Sequence, residues 1–181
     1  METFADIKEL VNDPGFQEQR YKTNSQLDVS TIDQPVVGLI RDILNLKSCY
    51  TLQSCYGHFL YSEKMDIHNV EPLPAERING EIKYRIAYIA FCVENSEEGR
   101  GMLEDLKRIT DIDPHYVQCG SAEWFWMNRV NTYQLQVEPY RYRNFDTAVV
   151  EYDEAIYIER VRGEFVSGIH QLVKDKIYHG K

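Results

Sequence analysis

Apolar positions along this chain follow two different periods, and each change of period marks a change of element. Val36, Val37, Leu39, Ile40, Ile43, Leu44 and Leu46 fall at helical spacing, which gives one wide face to bury. Asp33 stands where an N-cap belongs, and Pro35 suits a first helical turn. Residues 49–61 then turn β-branched and aromatic and predict a strand. The stretch 82–93, IKYRIAYIAFCV, has the content of a central strand. The apolar, aromatic segment 116–127 and the alternating NTYQLQVE of 131–138 predict an antiparallel pair that turns at or near Asn128 to Asn131.

Helical spacing appears in three further places. A short helix is expected over 3–12, ending before the turn signal Asp13-Pro14-Gly15. Ser96 with Glu97 and Glu98 opens another, running to about residue 109 with Leu103, Leu106 and Ile109 inward. From Asp146 to about Ile177 apolar residues recur at 149, 152, 156, 165, 169, 172 and 173. One helix of that length would extend about 45–50 Å, so either Gly163 or Gly168 breaks it or one end packs on a second copy in a homodimer. Residues 16–33 are polar and are expected to wrap the surface, with room for one helical turn. Some twenty residues with Pro72 and Pro74 form a loop over 62–80, and loops of that length are usually functional or mobile. The order α–α–β–β–α–β–β–α predicts an α+β fold: a mostly antiparallel mixed sheet packed with helices, with a long C-terminal helix, in one domain over 1–181.

Composition narrows the function classes. Apolar residues make up 43% and charged residues 27% of 181 positions, ordinary for a globular domain with a real core. A net charge of −9 opposes non-specific nucleic-acid binding, although Arg129, Arg141 and Arg143 could form a local basic patch. No apolar run is long enough to span a bilayer, and METFADIKEL does not read as a secretory signal. The cysteines at 49, 55, 92 and 119 contain no Cys-x-x-Cys pair, so reduced thiols in a cytoplasm are the expectation.

Candidate chemistry concentrates at Gln53-Ser54-Cys55-Tyr56-Gly57-His58, where the first strand should break. Cys55 reads either as a nucleophile beside the cation His58 or as a small buried hydrophobe. His58 reads as an acid or base near neutral pH or as a hydrogen-bonded strand residue. Strand alternation sets Gln53 and Cys55 on one face and Ser54 and Tyr56 on the other. All four reach one pocket only if Gly57 marks a bulge or kink. Trp124 and Trp126, two apart on one strand face, suit either a base or the core. His68 and His115 stand alone in loops, so no metal site is expected. Asp111 and Asp113 beside Pro114 suggest a turn, and Glu138 ends a strand where it could face a cleft. No glycine-rich dinucleotide loop, Walker lysine or Ser-His-Asp ordering is present.

The order Leu27-Asp28, Ser30, Ile32-Asp33-Gln34-Pro35-Val36, then Tyr50-Thr51-Leu52-Gln53-Ser54-Cys55-Tyr56-Gly57-His58 resembles the wybutosine-synthesis methyltransferase family. Members of that family act third in building the modified guanosine beside the tRNA anticodon. FWMNRVNTYQLQVEP resembles its aromatic strand pair, and Phe165-Val166-Ser167-Gly168-Ile169 is similar to its final motif. The likeness implies S-adenosylmethionine as cofactor. It implies Ser54, Tyr56 and Gly57 lining the cofactor site, with Cys55 and His58 at the catalytic position. A small nucleoside-bearing ligand and RNA are the implied partners. Two features depart from the family: His58 replaces the motif arginine, and Gly80-Glu81-Ile82-Lys83-Tyr84 is the nearest counterpart of its Gly-rich, Lys-Trp segment. These departures suit the rival class, a non-catalytic relative that binds a ligand or oligomerises.

Overall fold

The computed structural model describes residues 4–62 and 65–179; position 3 of the expected first helix and 63–64 of the expected loop lie outside the described residues, as do 1–2 and 180–181. The fold is α+β, and among the described residues every strand pairing is antiparallel. The single sheet expected from sequence is divided in two. The larger sheet contains β1 (Phe4–Ala5), β2 (Cys49–Cys55), β5 (Ala87–Val93), β6 (Val117–Ala122) and β7 (Thr132–Val137), in the order β1-β6-β7-β5-β2. The smaller sheet contains β3 (His58–Leu60), β4 (Ile82–Arg85) and β8 (Thr147–Val150), in the order β3-β4-β8.

The division comes from one corner. Residues 49–61 and 82–93 each begin in one sheet and end in the other, breaking at Tyr56-Gly57 and at Ile86. Gly57 adopts φ +89°, a conformation that glycine enters without steric cost. A Cβ there would lie 2.9 Å from the Ala87 Cβ, the Ala87 nitrogen and the Tyr84 hydroxyl. The expected bend is therefore present and tightly packed.

Among the described residues five helices surround the sheets: α1 (Phe16–Ser25), α2 (Val37–Ile43), α3 (Glu97–Arg108), α4 (Glu123–Asn128) and α5 (Tyr152–His179). In α3, the Ser96 hydroxyl accepts from the Gly99 amide, the cap the sequence implies. α5 runs unbroken through Gly163 and Gly168. It buries Ala155, Ile158, Val161, Phe165, Ile169 and Val173 as one stripe against the core. That stripe, as far as Val173, is covered within the chain.

Four expectations change. Residues 6–12 form no helix: Ser121, Asn131 and Tyr133 side chains take up the backbone groups of Lys8 and Val11, holding the segment extended along β6 and β7. Residues 16–25 are fully helical, although Phe16 alone is buried. Arg20 explains the docking, since it donates to the Leu44 and Leu46 carbonyls at the end of α2. Thr147–Val150 is a strand because its Ala148 and Val150 alternate inward beside β4. Residues 123–127 leave the strand for α4, so Trp124 and Trp126 do not share a strand face. Among the described residues no helix is long and apolar enough to cross a membrane.

Replacing Gly57 with alanine should destabilise the fold by about 2–5 kcal/mol, from backbone strain plus overpacking. Gly80→Ala is the control: φ is +109° there, but no atom lies within 4 Å of an added Cβ. It should cost about 1 kcal/mol in chemical denaturation.

Candidate functional site

The larger sheet has one apolar face and one polar face. Ala87, Ile89, Phe91, Val93, Tyr133 and Leu135 turn toward the core. On the opposite face the register aligns Gln53 with Ala90 and Gln134, and Cys55 with Tyr88, Gln136 and Gln118. An irregularity between Thr51 and Gln53 leaves Leu52 as the extra residue, which keeps Gln53 and Cys55 on this second face. Above it, α4 and the segment around Asp146 enclose a cavity of about 260 Å³. Its walls are Gln53, Cys55, Tyr88 and Gln134 from the sheet, Arg85 and Ile86 from the corner, and Trp124, Phe125 and Asp146. A second hollow of about 440 Å³ shares Gln53, Trp124 and Phe125 as walls.

Beneath the cavity lies a row of buried polar side chains, two residues apart along β7. Gln134 Nε2 donates to Gln136 Oε1, and Gln136 Nε2 donates to Glu138 Oε1. At the two ends of the row, Gln134 Oε1 and Glu138 Oε2 are buried without a partner. The Gln134 carbonyl is thus an unused acceptor at a cavity wall, a group that suits an exocyclic amine. Glu138 is fully buried rather than facing a cleft. Burial pushes its carboxyl up to about 9; the Gln136 hydrogen bond opposes this and Asp146 adds to it. Glu138 therefore carries its proton at neutral pH.

Behind Cys55 is a second cluster. Asp33 does not use its side chain to cap the helix; its Oδ2 accepts from the Tyr56 amide at 2.7 Å and stands 3.3 Å from His58 Nε2. His58 Nδ1 donates to the Asn69 carbonyl at 2.9 Å, and the ring is 1% exposed. Burial works against the charged ring, yet Asp33, Cys55 and the Asn69 carbonyl outweigh it and push His58 up to about 10. Burial likewise works to raise Asp33, and its bonds to His58, Tyr56 and Cys55 bring it below its ordinary value. From α5 the buried Arg162 donates to the Gly57 carbonyl at 2.7 Å, its guanidinium 4.1 Å over Tyr56 and 5.0 Å over Phe59.

The bend thus sorts the expected residues between two places. Of the five candidates, Cys55 lines the cavity and also reaches both Asp33 and His58. His58 sits in the second cluster, and Tyr56 and Gly57 lie under Arg162. Ser54 is half-buried on the strand face opposite Cys55. Trp124, 58% exposed, forms a cavity wall, whereas Trp126 packs edge-on to Tyr133 beneath Lys8. The 62–80 loop contributes none of the cavity's lining among its described residues. It covers His58 instead, and Leu73 and Pro74 tie it to Glu159 and Tyr152 of α5. His68 is not isolated: its ring meets His58 edge-on at 5.9 Å. The three arginines of the expected basic patch are engaged internally, Arg129 with Asp13 and Tyr50, Arg141 with Glu154, and Arg143 with Tyr140. All four cysteines are free thiols.

Sequence reading missed Arg162 and the glutamine row. Gln134, Gln136 and Glu138 are spaced by two, so the alternation of NTYQLQVE did mark one polar face. Nothing in the spacing said that this face is buried.

No protein-family model matches the chain, and no curated protein matches it. Among solved structures the fold is similar to the PH1069 protein from Pyrococcus horikoshii, with a TM-score of 0.54 and 8% identity, covering 88% of this chain and 94% of that one. At that identity the likeness is one of fold alone.

Because the unfolded Glu138 carboxyl loses its proton near 4.5 and the folded one near 9, its contribution to stability is complete below the first value. It is lost as pH climbs through the second. Glu138→Gln should match the parent chain in acid and exceed it in denaturation midpoint near pH 9, which urea titrations across that range would measure.

Proposed function

We propose that this chain is an S-adenosylmethionine-binding, methyltransferase-like protein, acting on a nucleoside-bearing acceptor of the kind found in RNA. The cavity at the corner supports this reading: aromatic walls, an unpaired acceptor and both charge types converge beside Cys55, with Ser54, Tyr56 and Gly57 outside its lining. Trp124, Phe125 and Tyr88 offer apolar surfaces to a base, and Gln134 Oε1 would accept from its amino group. Asp146 would face a cationic group, and Arg85, one of whose nitrogens holds the Ile67 carbonyl, has further N–H groups for a carboxylate.

When bound, S-adenosylmethionine would supply an electrophilic methyl group on its sulfonium for a nucleophilic acceptor. Positioning and exclusion of water would be the protein's contribution. Cys55 would lie against the reactants, with Ser54, Tyr56 and Gly57 shaping the backbone behind it. His58, held by Asp33 and Asn69, would fix the Cys55 end of the bend. A second reading, ligand binding without catalysis, is favoured by one observation: the position of the motif arginine holds a histidine that is sealed from solvent.

Calorimetric titration with S-adenosylmethionine and its demethylated product should give saturable binding at one site per chain. Trp124→Ala should weaken it on the order of tenfold, the scale of one stacked base. Absence of heat at millimolar ligand would defeat the cofactor assignment. Binding without methyl transfer to nucleoside or RNA acceptors would support the second reading.

A further inference from the structure

Asp33, His58 and His68 are separated by 25 and then 10 residues, a spacing that marks no metal motif, yet the fold gathers them. Each contributes one potential ligand atom, and the three atoms lie within 4.8 Å of one another. We propose that these three side chains form a zinc site that clips the 66–69 segment of the loop onto the corner between the sheets.

Geometry favours a metal over a simple ion pair. The 3.3 Å between Asp33 Oδ2 and His58 Nε2 is longer than the roughly 2.7–2.9 Å of a good charge-assisted hydrogen bond. It matches the edge of a tetrahedron whose ligands sit about 2.0–2.1 Å from zinc, an edge of roughly 3.3–3.4 Å. The outer shell is also in place. His58 donates its other ring nitrogen to a backbone carbonyl, the arrangement that fixes the tautomer of a ligating histidine. The Asp33 carboxylate is itself oriented by the Tyr56 amide.

The loop is held so that His68 arrives over this pair. The Asp66 carboxylate accepts from the His68 amide, Arg85 donates to the Ile67 carbonyl, and His58 donates to Asn69. His68 is exposed, so a small side-chain movement can shorten the longest of the three separations. Two imidazoles and one carboxylate suit zinc, whereas calcium and magnesium call for more oxygen ligands. The fourth position is left to water. Loading displaces any proton on His58 Nε2, since a ligating imidazole nitrogen must be bare.

The test uses the full chain, stripped with chelator and dialysed against Zn2+, with no S-adenosylmethionine present, so that its outcome is independent of the cofactor reading. One zinc per chain is expected, and Co2+ in its place should show the visible absorption of a tetrahedral site. His68→Ala, which removes an exposed side chain, should keep the unfolding midpoint of the metal-free chain while weakening zinc binding on the order of a hundredfold. Asp33→Asn should weaken it as well. Failure to retain zinc would overturn the proposal. So would zinc affinity unchanged in His68→Ala, since the metal would then be held elsewhere.

Discussion

Two strands that pass from one sheet to another must leave backbone groups unpaired at the corner, and buried unpaired groups are costly. Here each comes to a partner from a different part of the chain. The Tyr56 amide goes to Asp33, ahead of α2, and the Gly57 carbonyl to Arg162 on α5. The Ile86 amide goes to the Asp146 carbonyl before β8, and the Ala87 amide to the Tyr84 hydroxyl. The corner is therefore the point where α2, α5, β4 and the lead to β8 are tied together. Gly57 permits it, because a side chain would strike Ala87 and Tyr84.

The same corner positions the chemistry. Turning the strands away exposes the end of a polar sheet face, which α4 then roofs with Trp124 and Phe125. On the other side of Cys55 the turn brings His58 under the 62–80 loop and beside Asp33. A straight ladder would have placed Arg85, Tyr88 and Cys55 along a flat surface without a hollow. Stability and site thus draw on the same few hydrogen bonds, and substitutions at the corner will affect both.

Much of the fold was legible in the sequence because local chemistry agreed with the global arrangement. Ser96 and the acidic turn after it opened α3 as their capping chemistry implies, and the apolar spacing of 36–46 placed α2. The break at Gly57 was also legible, since glycine between a thiol and an imidazole suits no regular strand. The failures share one cause: a partner distant in sequence decided the outcome. Residues 6–12 are held extended by Asn131 and Tyr133, and α1 is docked by Arg20 on carbonyls of the next helix. Ile86 gave no sign of a break because its partner, Asp146, is sixty residues away. Likewise Asp33 read as a cap, and only the fold shows its carboxylate turned to Tyr56 and His58.

Hydrogen exchange resolved at single amides tests the corner most directly. Tyr56 and Ala87 donate to side chains rather than to a strand ladder. If those bonds clamp the two sheets into one body, both amides will exchange as slowly as that of Phe91 at the centre of β5, through global unfolding alone. Exchange of Tyr56 and Ala87 at the rate of an open loop, with Phe91 still protected, would contradict the account.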